Sequence, residues 1–451
     1  MAVTTTEPLK KSPPGPKGHW FFGSGREFQR DRLGFLEECS RTYGDVVSFR
    51  LAHHPIIVVN HPDQIEEVLV TNNKHYIKHF ALRMTKSTLG NGLLTSEGEF
   101  WRRQRRLSQP AFHRERIAAS ADMMVAFTER MLEGWRDGQT RDIQNDMMQV
   151  TLQIVAKALF DADVSGESAD ASEAMEFVLR CFTARVGKII RLPEFIPTPV
   201  NIRLRRAIKS LDSIIFRVIE ERRASGADRG DLLSMLLQAH DEDDGGGMTD
   251  RQLRDELMTL FMAGHETTAN TLGWALYLIS LHPEVESRLH AELDSVLGDR
   301  LPTLSDLPKL PYTENVISET LRLYPTVWLL GREAIVPTEV GGYPVPVGTT
   351  IYMSQWVLHR DPRFFDDPLS YRPERWENQL SKRIPRYAYF PFGGGPRICI
   401  GNTFALMESA LILATIARRF RLSLSPGAKI TPLPTMTLRA DGGIPMVVEA
   451  R

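Results

Sequence analysis

The sequence predicts a mainly α fold with small β-sheets, of the α+β kind, on three observations. Helical spacing dominates from Pro62 to Ile190 and again from Thr249 to Leu323. One of these runs, Thr249 to Leu281, is long enough at ~1.5 Å per residue to cross a whole domain. Strand chemistry is confined to the two ends of the chain, and no internal repeat interrupts the outline.

Taken in order, a Pro/Gly-rich stretch (Pro13 to Gly18) leads into "GDVVSFRLAHHPIIVVN". Its alternation and its Val and Ile content predict two strands joined by a turn near His53 to Pro55, within a β-rich part covering about residues 19–75. Helical patterns then run until "RLPEFIPTPVN" (Arg191 to Asn201) breaks them with three prolines, after which a charged helix continues to Arg223. "HDEDDGGGM" (His240 to Met248) is an acidic, glycine-rich loop with nothing to pack. Thr249 and Gln252, three apart, form a capping box that opens the long helix, and His282–Pro283 stops it. More helix follows to Leu323. Val336 to Met353 returns to hairpin chemistry, and a Pro/Arg/aromatic stretch (His359 to Pro391) leads into a run of glycines.

With 451 residues the chain can bury a large core as two or three domains or as one unit. A formal net charge of -1 gives no global reason to expect nucleic acid as a partner. Cys39, Cys181 and Cys399 are an odd number, far apart and without a CxxC pair, which argues against a disulfide framework or an iron–sulfur site and for a reducing compartment. The N-terminus has no apolar core of signal-peptide length, and no apolar run approaches the ~20 residues of a membrane span. A cytoplasmic, soluble protein without a transmembrane anchor is expected.

The chemistry concentrates in "YFPFGGGPRICIGNTFALME" (Tyr389 to Glu408). A lone cysteine is commonly a buried structural residue. A phosphate loop would need a Lys that "GGGPRICIG" lacks, and a nucleophilic Cys would need a nearby His that local sequence does not reveal. A thiolate metal ligand is the third reading. Gly393, Gly394, Gly395 and Gly401 would let backbone approach a large flat object. A helix beginning just after Cys399 favours the thiolate, and Arg397 can face an anionic group.

Three further clusters stand out. Glu319 and Arg322 in "ETLR" share a helix face, and Arg375 sits in "YRPERW" between Pro373 and a Trp. In "WRRQRR", Trp101 and Arg105 are four apart on one face, while Arg102, Arg103 and Arg106 lie mostly elsewhere. "AGHETT" (Ala263 to Thr268) places Gly264 and two Thr mid-way in the long helix, sacrificing local propensity. Tight packing at Gly264 is one explanation. A helix opened for a ligand, with Thr back-bonding to a carbonyl, is the other.

Phe392, Gly395, Arg397, Cys399 and Gly401 match FxxGxRxCxG, and Phe404, Ala405 and Glu408 continue the same pattern, so the chain resembles the cytochrome P450 family over essentially its whole length. The resemblance implies the family's fold, with a long central helix over the cofactor, as a single catalytic unit spanning residues 1–451. It implies haem b (iron protoporphyrin IX) with Cys399 as the iron ligand. Phe392, Gly395, Gly401, Ala263 and Gly264 become cofactor contacts, and Trp101, Arg105, Arg332 and Arg397 propionate ligands. His359 is either a further ligand or a turn residue, and His265 is not a ligand. Glu319, Arg322 and Arg375 become a buried charged triad. Glu266 and Thr267 become the acid–alcohol pair that delivers protons.

The implied activity is a monooxygenase that inserts one atom of O2 into a C–H bond of a lipophilic substrate. Its electrons come from a ferredoxin or flavodoxin with its reductase, docked on a basic patch of Arg102, Arg103, Arg106, Arg418 and Arg419. Phe80, Leu82, Leu93, Leu94, Leu260, Val327, Leu329 and Met436 are the expected substrate-pocket residues. "GLLTS" with "AGHETT" looks closest to members resembling fatty-acid hydroxylases, which makes a long apolar ligand the first expectation. The hairpin tip "AHHP" lacks an Arg/Tyr pair for a carboxylate, so a terpenoid or steroid is the alternative. A haem-thiolate peroxygenase or isomerase, or a haem sensor, are the rival classes.

Overall fold

The computed structural model describes residues 12–161, 174, 177–178, 181, 196–241, 243 and 245–451. The strands in chain order are β1 (Val46–Leu51), β2 (His54–Val59), β3 (Tyr76–Lys78), β4 (Thr140–Asp142), β5 (Leu330–Ala334), β6 (Thr338–Val340), β7 (Tyr343–Val345), β8 (Thr350–Met353), β9 (Phe420–Leu424), β10 (Pro432–Pro434), β11 (Leu438–Ala440) and β12 (Pro445–Ala450). The helices that carry or brace the candidate site are α1 (Gly98–Ser108), α2 (Ile143–Phe160), α3 (Pro199–Ser225), α4 (Asp250–Leu281), α5 (Pro311–Leu323) and α6 (Asn402–Arg419). The chain divides into two compact units, each assembled from separate stretches.

The first unit comprises Met1–Arg83, Val327–Leu369 and Ser381–Cys399. Its sheet has the order β1-β2-β8-β5-β3, and its register pairs Val46 with Val59 and Ile57 with Ile351. The turn of the first hairpin lies at Ala52–His53, earlier than the expected His53 to Pro55. Ala52 takes a left-handed φ of 52°, and His54 and Pro55 already belong to β2. The stretch from Val336 to Met353 does contain a hairpin, β6–β7. Its last strand, β8, leaves that hairpin and inserts between β2 and β5, parallel to β2. The β-rich part expected over about residues 19–75 is thus completed by strands some 270 residues later. Val46, Ile57, Val59, Ile351, Met353 and Phe390 belong to the core of this unit.

The second unit comprises Met84–Thr326, Ser370–Leu380 and Ile400–Arg451. Its central element is α4, 32 residues long. The Thr249 hydroxyl accepts from the Gln252 N–H, and the Gln252 side chain accepts from the Thr249 N–H, so the capping box forms. The helix is buried on most of its circumference, with polar as well as apolar side chains covered, because neighbours pack on several sides. Leu253, Leu257, Leu260 and Met262 join Leu204, Ile215 and Ile219 of α3 in one core. The three-proline break at Arg191 to Asn201 lies outside the described residues up to residue 195; beyond it, Thr198 caps α3, and Pro199 occupies the first turn, where no N–H is needed. β9, β12 and β4 form a second sheet, and β10 pairs with β11. Among the described residues no helix is long and apolar enough to cross a membrane.

Candidate active site

Cys39 and Cys181 are buried, and burial pushes the Cys39 thiol up to about 12, far from a thiolate. Cys399 is exposed. Its N–H donates to the Phe392 carbonyl at 3.0 Å, and the Ile398 N–H donates to Gly395 at 3.1 Å, so the backbone shapes a closed loop that presents the thiol. The glycines before it have steric reasons within the protein itself. Gly395 sits at φ +65°, and a Cβ there would overlap the Leu69 carbonyl; a Cβ on Gly394 would overlap the Tyr387 ring. Both are therefore demanded by the protein's own atoms. Gly393, at φ +72°, has open space on its Cβ side apart from Leu330 at 3.8 Å. Gly401 caps α6 and meets only Phe112, at 3.8 Å.

The middle of α4 carries both explanations proposed for "AGHETT". A Cβ on Gly264 would lie 2.8 Å from a Val155 methyl of α2, so close packing accounts for the glycine. The helix is continuous there, without the expected opening. Yet Ala263 is exposed and Thr267 half-buried within a helix that is otherwise mostly covered. The Thr267 hydroxyl donates back to the Ala263 carbonyl at 2.8 Å. Glu266 points elsewhere, since successive helical residues do not share a face. It is buried and accepts a 2.7 Å hydrogen bond from the Thr437 hydroxyl. His265 turns back onto its own helix, its Nδ1 3.0 Å from the Phe261 carbonyl, and burial holds its pKa below the ordinary value.

A second carboxyl adjoins this segment. Glu408 of α6 is buried, and burial pushes its pKa up to about 8, opposed only by the neighbouring Thr268. Sequence placed Glu408 in a motif but gave no sign of this state.

Glu319, Arg322 and Arg375 come together in the second unit. Both Glu319 and Arg322 are 0% exposed. Arg322 donates through Nε (2.9 Å) and Nη2 (2.7 Å), and Arg375 through Nε (3.2 Å). Two partners were missed in the sequence: the Trp376 indole N–H at 2.9 Å and the Arg372 backbone N–H at 3.0 Å. Both lie in "YRPERW", and the indole beside the arginine was the available signal.

In the first unit, Arg332 of β5 is buried, and next to it stands a residue that sequence reading passed over, His79. Its pKa is pulled down to about 3 by burial and by Arg332 and Arg83, so the ring is neutral, and its Nδ1 is buried without a partner. Arg83 pairs with Glu333 at 2.8 Å. His359 is buried, and its Nε2 accepts the Phe390 N–H at 3.1 Å, which makes it a brace for the glycine loop. In the second unit Trp101 is buried on α1, and Arg105 bonds Gln109 at 2.8 Å.

The expected basic patch is largely paired. Arg102 pairs with Glu99, Arg106 with Asp241 and Asp243, and Arg418 and Arg419 both approach Glu129. These acidic partners lie in other segments or one turn away, so a count of arginines overstates the local charge. Of the pocket residues, Leu94, Leu260 and Met436 join one apolar cluster in the second unit, and Leu93 is buried with its N–H held by Glu256 at 2.9 Å. Phe80, Leu82, Val327 and Leu329 belong to the first unit and are partly exposed.

Comparison with known proteins agrees with this arrangement. The family model "Cytochrome P450" matches residues 13–443. Cyclooctatin synthase of Streptomyces melanosporofaciens is 40% identical, over 97% of this chain and 95% of that protein. Cyclooctat-9-en-7-ol 5-monooxygenase of the same organism is 41% identical, over 91% and 89%. Pentalenene oxygenase of Streptomyces avermitilis is 34% identical, over 92% of each chain. The crystal structure of the cytochrome P450DA haem domain superposes with a TM-score of 0.89 at 25% identity, over 98% of both chains. An exposed cysteine on a closed loop, a long helix with Ala263 exposed at its middle and a match along nearly the whole length lead to one conclusion: this chain belongs to the cytochrome P450 family and is a haem-dependent monooxygenase.

Proposed function

We propose that the chain, acting as one catalytic unit, hydroxylates a neutral terpenoid, with haem b held by Cys399 and electrons from a ferredoxin or flavodoxin. The overall reaction is R–H + O2 + two electrons + two protons giving R–OH and water. When bound, the haem supplies the reduction and cleavage of O2, with the thiolate donating electron density.

The donor set suits this group. An exposed thiol on a rigid loop matches a single thiolate ligand. In the first unit, buried Arg332 and the unpartnered Nδ1 of neutral His79 offer positive charge and a hydrogen-bonding atom to a propionate; the family pattern adds Trp101, Arg105 and Arg397 as anchors. Phe392, Gly395, Gly401, Ala263 and Gly264 are the remaining cofactor contacts. The observation that carries the reading is the exposure of Ala263, with Thr267 half-buried one turn on, in the middle of a helix that is otherwise mostly covered. There the Thr267 hydroxyl stands toward open space, and Glu266 supplies protons from the buried side.

Two observations favour a terpenoid over a fatty acid. Three similar proteins carry names that refer to cyclooctatin, cyclooctat-9-en-7-ol and pentalenene, and they match the terpenoid reading. At the first hairpin tip, the His54 ring stacks on Phe80, a substrate-pocket candidate, with centroids 4.0 Å apart, and the His53 ring lies tilted by 39° against His54 at 3.9 Å. That corner offers aromatic surface to a neutral lipophile. Titrating cyclic terpenes, terpene alcohols and fatty acids of increasing length, and following the haem spin shift, tests the ranking. Terpenes should bind more tightly and give hydroxylated product. Tighter binding of fatty acids would reverse it. Cys399→Ser should abolish the red-shifted Soret band of the reduced CO complex, and an unchanged band would remove Cys399 as ligand.

A further inference from the structure

We infer that Gln144, Asn270 and Thr437 are positioning residues for Glu266, forming a one-way chain of hydrogen bonds that fixes the rotamer and aim of its carboxyl group. The inference deepens the proposed role of Glu266 and rests on it.

The chain starts at Gln144 in the first turn of α2, which is partly exposed. Its Nε2 donates to Asn270 Oδ1 at 2.7 Å. Asn270 Nδ2 donates to Thr437 Oγ1 at 3.2 Å, and Thr437 Oγ1 donates to Glu266 Oε1 at 2.7 Å. Asn270, Thr437 and Glu266 are all buried. An amide NH2 can only donate, so Asn270 occupies a lone pair of the Thr437 hydroxyl and leaves its one proton for Glu266. Every bond therefore points toward the carboxyl. With its proton committed in this way, the Thr437 hydroxyl holds Glu266 Oε1 in one place.

The donor's own position is well determined. The Leu438 N–H, next to Thr437, bonds the Thr326 carbonyl at 2.8 Å, and the Trp274 indole of α4 donates to the Leu438 carbonyl at 2.9 Å. The Thr435 N–H bonds the Thr437 carbonyl at 3.0 Å. With its backbone pinned on both sides, Thr437 has only a rotamer to choose, and Asn270 chooses it. The other titratable groups against this stretch of α4 are His265, held neutral by burial, and Glu408, which lies by Thr268. Neither donates to Glu266 Oε1.

The test is a set of variants of the haem-loaded enzyme: Thr437→Val, Thr437→Ser, Asn270→Leu, Gln144→Leu and Glu266→Gln. Two readouts are product formed per electron pair, with peroxide as the alternative fate, and the infrared carboxylate band assigned by its loss in Glu266→Gln. Thr437→Val should lower coupling several-fold and shift the frequency of the band as its hydrogen-bond donor is lost, with substrate affinity within twofold. Thr437→Ser should restore both, and Gln144→Leu, at the partly exposed end, should give the same changes in smaller degree. If Thr437→Val fails to load haem, the Asn270→Leu and Gln144→Leu pair carries the test. Unchanged coupling and band in the loaded variants, or a change confined to substrate affinity, would overturn the inference. Should Glu266→Gln itself stay fully coupled, the proton-delivery reading falls as well. Uncoupling by Glu266→Gln alone would remove only the positioning chain.

Discussion

Glu319 and Glu408 have the same side chain and the same burial, at 0% and 1% exposure, yet their surroundings treat charge in opposite ways. Glu319 accepts from Arg322, Arg375, the Trp376 indole and the Arg372 N–H, so both oxygens face donors, two of them cationic. Both Glu408 oxygens are buried without a hydrogen-bond partner, and burial pushes the carboxyl pKa up to about 8. The lesson is that burial sets the stakes and partners decide the outcome. A buried carboxylate persists only where its lost hydration is replaced.

The largest expected effect comes from breaking the better-satisfied site. Glu319→Ala leaves Arg322 charged and buried without its counter-ion, at a cost of ~3–5 kcal/mol, a large fraction of a typical folding free energy. Soluble, haem-loaded protein with the wild-type melting temperature would refute the importance of this cluster.

Glu408→Gln tests the other side of the comparison. Its folded pKa of about 8 lies above the reference 4.5, so between these values the folded state holds a proton that the unfolded state has released. Wild-type stability therefore falls as pH rises from about 4.5 to about 8, by up to ~4 kcal/mol from this group alone, at ~1.4 kcal/mol for each tenfold change. The Gln variant should lose that slope and be the more stable protein at pH 9. Denaturant unfolding at pH 5, 7 and 9 measures it, and parallel pH profiles would contradict the assignment.

Trp376→Phe sharpens the picture of Glu319 by removing one donor to a charged acceptor while keeping the ring. A loss of ~1.5–3 kcal/mol is expected by chemical denaturation. A loss under ~0.5 kcal/mol would mean that the arginines alone satisfy the carboxylate. The smallest effect belongs to Thr268→Val, which takes away the polar neighbour that opposes the raised pKa of Glu408. Because the protonated acid already prevails at pH 7, stability there should change by less than ~1 kcal/mol, with the midpoint of the pH dependence moving upward. A downward move would show that Thr268 stabilises the neutral form.

Legibility followed the range of the interaction. The start and stop of α4 could be read because Thr249, Gln252 and Pro283 act within a few residues. Glu319 with Arg322 could be read as one helix face, and Arg375 joined them only through resemblance to a family. His79 escaped notice because nothing local marks it; its neighbour Arg332 is about 250 residues away, and the strand pairing of β3 with β5 brings them together. The basic patch misled for a matching reason, since Asp241 and Asp243 answer Arg106 from a loop that reads as solvent-exposed.

By itself the sequence determined the outline of helices and strands, the cysteine loop and the order of its glycines, since each depends on spacing, capping and backbone preference over a turn or two. The tertiary structure decided that Gly394 and Gly395 make room for Tyr387 and Leu69. It decided that β8 lies between β2 and β5, that Glu266 answers to Thr437 across 171 positions, and that of two buried glutamates one meets cations and the other almost nothing. Charge state, steric necessity and strand order are properties of what surrounds a residue, and that environment is made by parts of the chain that meet only once it has folded.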